Sequence, residues 1–168
     1  MKLIAILQIP FFLAIPLPAG EKNSVSELIS TLTAIQSKGV GNSKAVSNWE
    51  AVSILTSSAI PKLLAAMNEA NDLGDNWIRS AVSEILDREK DSFPEKEILD
   101  FLKDTENTGS SRMFAFEIIQ DKNNAFAQSL TPDFIDDPEP SLRRLAVENI
   151  LLSARNTKKP GRAKALYE

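Results

Sequence analysis

The chain has 168 residues, is 43% hydrophobic and 25% charged, and contains neither cysteine nor histidine. Such a composition belongs to a globular domain and excludes a disordered, collagenous or disulfide-stapled chain. The two missing residue types exclude more: a thiol nucleophile, a Ser-His-Asp triad, an imidazole acid or base, and an ordinary zinc, copper or haem site.

The first twenty residues differ from the rest. Lys2 precedes an apolar run from Leu3 to Ile15, broken only by Gln8 and Pro10. Pro16, Leu17, Pro18, Ala19 and Gly20 then lead into Glu21-Lys22. A short positive charge, a short greasy helix, helix-breaking prolines and a small residue make the layout of a secretory signal peptide. Residues 1–20 are therefore expected to direct export, with cleavage after Ala19 or Gly20, although Leu17 or Pro18 then stands where a small residue is usual. The run is too short and too rich in proline for a spanning helix, which needs about 20 apolar residues. No cysteine at the junction offers a site for a lipid anchor. The expected address is the periplasm or the exterior of a bacterial cell, with no stable membrane anchor after cleavage.

Charge is unevenly spread over the remainder. From Arg143 onward there are seven basic residues against Glu148 and Glu168, a net of +5, whereas residues 21–142 carry −10. An acidic body repels phosphate, which argues against a nucleic-acid partner.

Helical periodicity runs through the whole remainder, with no stretch of strict alternation long enough for a strand. Ser24-Val-Ser-Glu27 reads as a capping box opening a helix through Val25, Leu28, Ile29, Leu32 and Ile35, stopped by Gly39 and Gly41. A second helix is expected from Ser43 through Trp49, Val52 and Leu55. A third starts near Pro61 with Leu63, Leu64 and Met67 inward. Asp75 is the expected cap of a fourth, carrying Trp77, Ile78, Ala81, Val82, Ile85 and Leu86. Ser92-Phe-Pro-Glu95 reads as another capping box before Ile98, Phe101 and Leu102. Ser110 or Ser111 opens the next, with Met113, Phe114, Phe116, Ile118 and Ile119. Thr131-Pro132 begins a short helix and Asp137-Pro138 a long one through Leu142, Leu145, Ala146, Ile150 and Leu151.

Three segments repeat. Residues 60–86, 97–119 and 126–152 each read as an apolar helix, an acidic turn, and an arginine entering a second apolar helix. Ala81, Ala115 and Ala146 fall at matching points, as do Arg79, Arg112 and Arg144. Intervals of just over thirty residues are the mark of a solenoid, in which each helix pair covers its neighbour's apolar face.

Asp137-Pro-Glu-Pro-Ser-Leu-Arg143-Arg-Leu-Ala146-Val resembles the second half of a HEAT repeat, where Asp-Pro opens the turn and an apolar-Arg pair enters the second helix. Asp72 with Ile78-Arg79 is a looser match, and Glu106 with Ser111-Arg112 is looser again. The similarity covers residues 44–155, and the chain also resembles the N-terminal part of exported bacterial HEAT-like proteins. The resemblance implies an all-α, right-handed solenoid of about three antiparallel helix pairs, behind a signal peptide and a capping helix at 21–43. It also implies a polar ladder between turn acids and helix arginines of neighbouring units, with Asp137 and Arg143 in that role. By the looser matches the ladder extends to Asp72, Arg79, Glu106 and Arg112.

Other constellations are better explained structurally. An anion-binding stripe of Arg79, Arg112, Arg143 and Arg144 is weaker than ladder bonding to carboxylates. Asp133, Asp136, Asp137 and Glu139 lack the spacing of a calcium loop, and Asp137 serves better as a helix cap. The many acids fall on polar helix faces, which disfavours a glycosidase pair. Pro61 between Ser58 and Lys62 marks a helix start, which disfavours a nucleophile–base dyad. Trp49 and Trp77 are candidates for a carbohydrate or peptide groove, although their apolar helical positions favour core packing.

Asn156 to Gly161 reads as a linker, and Arg162 onward as a basic helix of under two turns, too short to be stable alone. A solenoid truncated there or completed by a partner is expected. The whole reads as an exported non-catalytic scaffold that binds a protein, needs no cofactor, and presents Trp77, Arg144, Arg155, Lys158 and Lys159 as its candidate partner surface. The rivals are a carboxylate hydrolase or HEAT-like lyase of the cell envelope, and a DNA-binding repair protein, which the export signal and the acidic body oppose.

Overall fold

Val25, Leu28 and Leu32 lie on one buried face of the first helix, α1 (Ala19–Thr33), and Ile35 follows just beyond its end, equally buried. This is the spacing by which a helix sheds one apolar stripe into a core. The computed structural model describes residues 19–156, with side chains from Val25 onward. The apolar run of the expected signal peptide and the basic tail, with Lys158 and Lys159, lie outside the described residues. Within them every regular element is helical, and the chain is all-α.

α1 begins five residues before Ser24, so Ser24-Val-Ser-Glu27 lies inside the helix and does not start it. No breaker stands between Gly20 and Ser24, and nothing local stops the backbone from winding further back. The same helix crosses the boundary expected at residues 19–20. It ends at Thr33, and further on Lys38, Gly39 and Gly41 turn the chain through positive φ. At Gly41 (φ 89°) a Cβ would lie 3.2 Å from the Ala34 carbonyl oxygen, so both conformation and space call for glycine there.

The single helix expected from Ser43 to Leu55 is broken. α2 (Asn42–Ser47) stops at Asn48, and 3₁₀ turns follow at Trp49–Ile54 and Ser57–Ala59. Polar side chains compete with the ladder here. Ser47 Oγ donates to the Ser43 carbonyl at 2.8 Å, Ser53 Oγ to that of Glu50 at 2.6 Å, and Asn48 Nδ2 reaches back to Thr31 Oγ1 at 2.9 Å.

α3 (Ile60–Ala66) carries Pro61 in its first turn, where the missing amide costs nothing. α4 (Asp72–Arg88) starts three residues before the expected cap. Asn71 caps it, its Oδ1 accepting from the Leu73 and Gly74 amides at 3.0 Å each, and its Nδ2 donates to the Ile35 carbonyl at 2.6 Å. Asp75 sits one turn inside.

The start of α4 presses on α1. A Cβ at Gly74 would stand 2.9 Å from the Leu32 carbonyl oxygen and 3.2 Å from Ala70 Cβ. Gly74→Ala should therefore destabilise the fold by about 1–2 kcal/mol, in spite of the better helix propensity of alanine. Urea denaturation checks this, and a variant as stable as wild type would refute the close approach.

α5 (Glu95–Lys103) has no side-chain cap: Ser92 bonds instead to Ser57 Oγ at 2.9 Å. α6 (Gly109–Lys122) is capped by Thr108, not by Ser110 or Ser111. α7 (Asn124–Leu130) runs into a 3₁₀ turn at Thr131–Phe134, and α8 (Pro140–Asn156) closes the described chain. Asp137 does not cap α8. Glu139 does, its Oε1 accepting from the Ser141 amide at 3.1 Å, while Asp137 Oδ1 accepts from the Glu139 amide at 2.8 Å.

The pairs α3–α4 and α5–α6 each pack together, and the 3₁₀ turn after α7 packs on α8. α1 covers α3 and α4, α3 also touches α5 and α6, and α6 contacts α7 and α8. A single apolar cluster runs from Val25 to Ala146 through all of them. Ala81, Ala115 and Ala146 are fully buried on α4, α6 and α8, where their small size lets neighbouring helices approach. α6 is buried nearly all round, through Phe114, Phe116, Ile118 and Ile119.

Candidate functional site

Arg112 is 2% exposed, and all of its bonds are internal. Nη1 and Nη2 fork onto Asp137 Oδ1 and Oδ2 at 2.9 and 2.5 Å, and Nε donates to the Leu102 carbonyl at 2.8 Å. That carbonyl belongs to the last turn of α5, where a helix leaves its acceptors unsatisfied. One guanidinium thus ties the end of α5 and the start of α6 to the turn before α8. Arg143 joins the same knot by donating to the backbone carbonyl of Asp137. The Asp137 carboxylate therefore pairs with Arg112 at the start of α6, and Arg143 hydrogen-bonds only its main chain.

The other expected rungs differ. Arg79 crosses from α4 to α6, but its partners are Glu117 at 2.9 Å, the Ser110 carbonyl at 3.4 Å and the face of Phe114 at 4.3 Å. Asp72 and Glu106 are exposed, and among the described residues neither meets an arginine. Their places are taken by residues the acidic pattern did not flag. Asn68 Oδ1 accepts from the Thr108 amide at 3.0 Å and Ser111 Oγ at 2.9 Å, while its Nδ2 donates to Asn107 Oδ1 at 2.8 Å. Asp75 Oδ2 accepts from Ser110 Oγ at 3.1 Å. At Asn68 an amide spans the gap without the desolvation cost of a carboxylate, and it is silent to a search for charge.

The acids titrate accordingly. Burial pushes the Asp137 carboxyl up, but the Arg112 fork, the Glu139 amide and the charges of Arg112 and Arg143 outweigh it and hold it below the ordinary range. Hydrogen bonds from the Ser141 hydroxyl and amide lower Glu139. Asp75 goes the other way: burial raises it, and among the described residues its Oδ1 has no hydrogen-bond partner. The lowered pair contributes stability that is complete above the unfolded-state values and lost as pH falls through the folded ones. The contribution of Asp75 is present below its unfolded value and lost as pH rises through its folded one. In an Asp75→Asn background, where the opposing contribution is removed, the Tm should therefore fall between about pH 7 and pH 3. Asp75→Asn should raise Tm at neutral pH and leave it unchanged once the wild-type carboxyl is protonated. Circular dichroism melts of both proteins across that range check both signs: an Asp75→Asn Tm that does not fall with pH would contradict the first, and one equal to wild type at neutral pH the second.

A cleft of about 370 Å³ opens beside the Arg112–Asp137 pair, walled by Leu102, Leu130, Phe134 and Pro138, with Asp133 and Asp136 at the rim. Arg112 and Asp137 satisfy each other, so the charges left for a ligand in this cleft are those of Lys103, Asp133 and Asp136, all exposed. The four acids weighed as calcium ligands have different surroundings, since Asp133 and Asp136 are exposed, Asp137 holds Arg112 and Glu139 holds Ser141. The Ser58 hydroxyl shares a hydrogen bond with Thr56 at 2.7 Å.

Of the candidate partner surface, Arg144 and Arg155 lie exposed on α8, with Arg144 Nε 3.6 Å from Glu148. Trp77 lies elsewhere, half-buried on α4. Its ring meets that of Trp49 edge to face, with centroids 5.3 Å apart at 68°. Trp49 Nε1 donates to Glu84 Oε2 at 3.1 Å. A shallow, open cleft of about 270 Å³ is lined by Trp49, Asn76, Trp77 and Ser80. The two tryptophans thus form a surface feature, 28 residues apart in sequence and joined by the packing of the first 3₁₀ turn on α4.

Comparison with protein-family models, curated proteins and solved structures finds no match to this chain.

Proposed function

We propose that the chain is an exported, non-catalytic α-solenoid of HEAT-like type that binds another protein through its last helix. The observation that carries this reading is the outer stripe of α8. Arg144, Val147, Leu151 and Arg155 recur at three- and four-residue spacing on one face. Val147 is 45% exposed, Leu151 is half-buried, and both arginines are exposed. Apolar side chains flanked by arginines are the composition of a protein interface core, not of a solvated helix face. The cross-unit bonds of Arg79 to Glu117 and of Arg112 to Asp137 support a stack of helix pairs. The signal-peptide layout of residues 1–20 supports export.

The test is crosslinking capture with residues 21–168 as bait in the native envelope fraction, read by mass spectrometry. A Val147→Asp bait, altered only at an exposed position, should stay folded and lose the captured protein, with recovery down about tenfold or more. A folded wild-type bait that captures nothing above background would remove the reading. Equal capture by Val147→Asp would move the interface off α8.

A further inference from the structure

Both tryptophans of the chain stand at one shallow cleft, and the groups around them define a chemistry. On α4, Asn76, Trp77, Ser80 and Glu84 share a stripe beside the buried Ile78, Ala81, Val82 and Ile85. Glu84 is engaged by the Trp49 indole, which fixes that ring in place. Trp77 is fixed by its helix and by its edge contact with Trp49. Two rings crossing at 68° give a floor and a wall, held before any ligand arrives, so little rotamer entropy remains to be lost on binding. The cleft lining carries no charged side chain, although residues 21–142 bear a net −10. Among the described residues, the Asn76 side-chain amide and the Trp77 indole N–H have no protein partner. The Ser80 hydroxyl donates inward to the Asn76 carbonyl at 2.9 Å, leaving its oxygen free to accept.

We propose that the Trp49–Trp77 cleft binds a neutral sugar ring, specifically an equatorially substituted pyranose within a β-linked oligosaccharide. Such a ring presents a flat face of axial C–H groups, which carry partial positive charge and stack on the negative face of an indole. Its equatorial hydroxyls supply the donors and acceptors that the Asn76 amide and the Ser80 oxygen, both lining the cleft, lack. An apolar ligand would gain too little from a cleft this open, and an ion finds no free charge in it. A sugar ring, apolar on its faces and polar round its edge, fits both surfaces.

Because no other tryptophan exists in the chain, its intrinsic tryptophan emission reports on this site alone. The experiment titrates the full chain with cellotriose and with N,N′,N″-triacetylchitotriose, and in parallel with an uncharged proline-rich hexapeptide. A saturable change in emission is expected with at least one trisaccharide, and it should be insensitive to salt because the ligand is neutral. Asn76→Ala should weaken that response about tenfold, as loss of one hydrogen bond does, while leaving the sugar-free spectrum and the Tm unchanged. Trp77→Phe, read through Trp49, should weaken it as well. No saturable response to either sugar overturns the proposal, as does an undiminished response in Asn76→Ala. Saturation by the peptide alone overturns it in favour of a peptide groove.

Discussion

Arg112→Ala should lower stability by about 3–5 kcal/mol, the effect of removing one partner from a buried, doubly hydrogen-bonded ion pair. In a chain of this size the corresponding drop in Tm is about 10 °C. Three losses combine. The Asp137 carboxylate is left buried without its fork, the Leu102 carbonyl at the end of α5 loses its donor, and the guanidinium stem leaves a void beside α6. Arg143→Ala removes a single hydrogen bond to a main-chain oxygen and should cost only about 1 kcal/mol. The comparison separates two versions of the ladder, one centred on Arg143 and one on Arg112. Replacing both charges, as in Arg112→Met with Asp137→Leu, should recover part of the loss, because two apolar groups need no desolvation. Urea denaturation of the four proteins decides the matter. An Arg112→Ala variant within about 1 kcal/mol of wild type would mean that the buried pair contributes little.

Phe116→Ala should cost about 3–5 kcal/mol. Phe116 is fully buried at the middle of α6, and its ring meets Phe134 edge to face at 5.8 Å. Phe134 is also a wall of the cleft beside Arg112, so truncating Phe116 removes support from behind that wall. Relaxation is limited, since α6 is held by α5, α7, α8 and α3 at once. Phe116→Leu, which keeps most of the volume, should lose markedly less. A Phe116→Ala chain with an unchanged urea midpoint would contradict the central position of α6.

Much of the architecture was legible because helical period and burial answer to the same spacing. Val25, Leu28, Leu32 and Ile35 are a buried stripe in the sequence and in the fold, and so are Ile78, Ala81, Val82 and Ile85. Helix starts were less legible. Asn71, Thr108 and Glu139 cap helices for which Asp75, Ser110 or Ser111, and Asp137 were expected. Each expected cap lies within a turn of the real one, and several polar residues in a row can all accept a helix amide. The segment at 43–55 failed for a different reason: its apolar spacing is helical, but the Ser47 and Ser53 hydroxyls bond to main-chain carbonyls of the ladder.

Of the candidate site residues, Asp137 and Arg112 are brought together, Arg79 finds Glu117, and Asp72 and Glu106 stay at the surface. Trp49 and Trp77 were legible as apolar helical positions and as candidates for a groove, but not their edge-to-face contact.

By itself the sequence determined that this is an all-α chain built from apolar helices joined by polar turns, with no thiol or imidazole chemistry, since periodicity and composition are local properties. The tertiary structure alone decided which arginine holds Asp137, which amides replace the missing acids, and that the two tryptophans share one cleft. Those are pairings between residues 25 to 43 positions apart, set by the angle and depth at which helices pack, and no single segment carries that information.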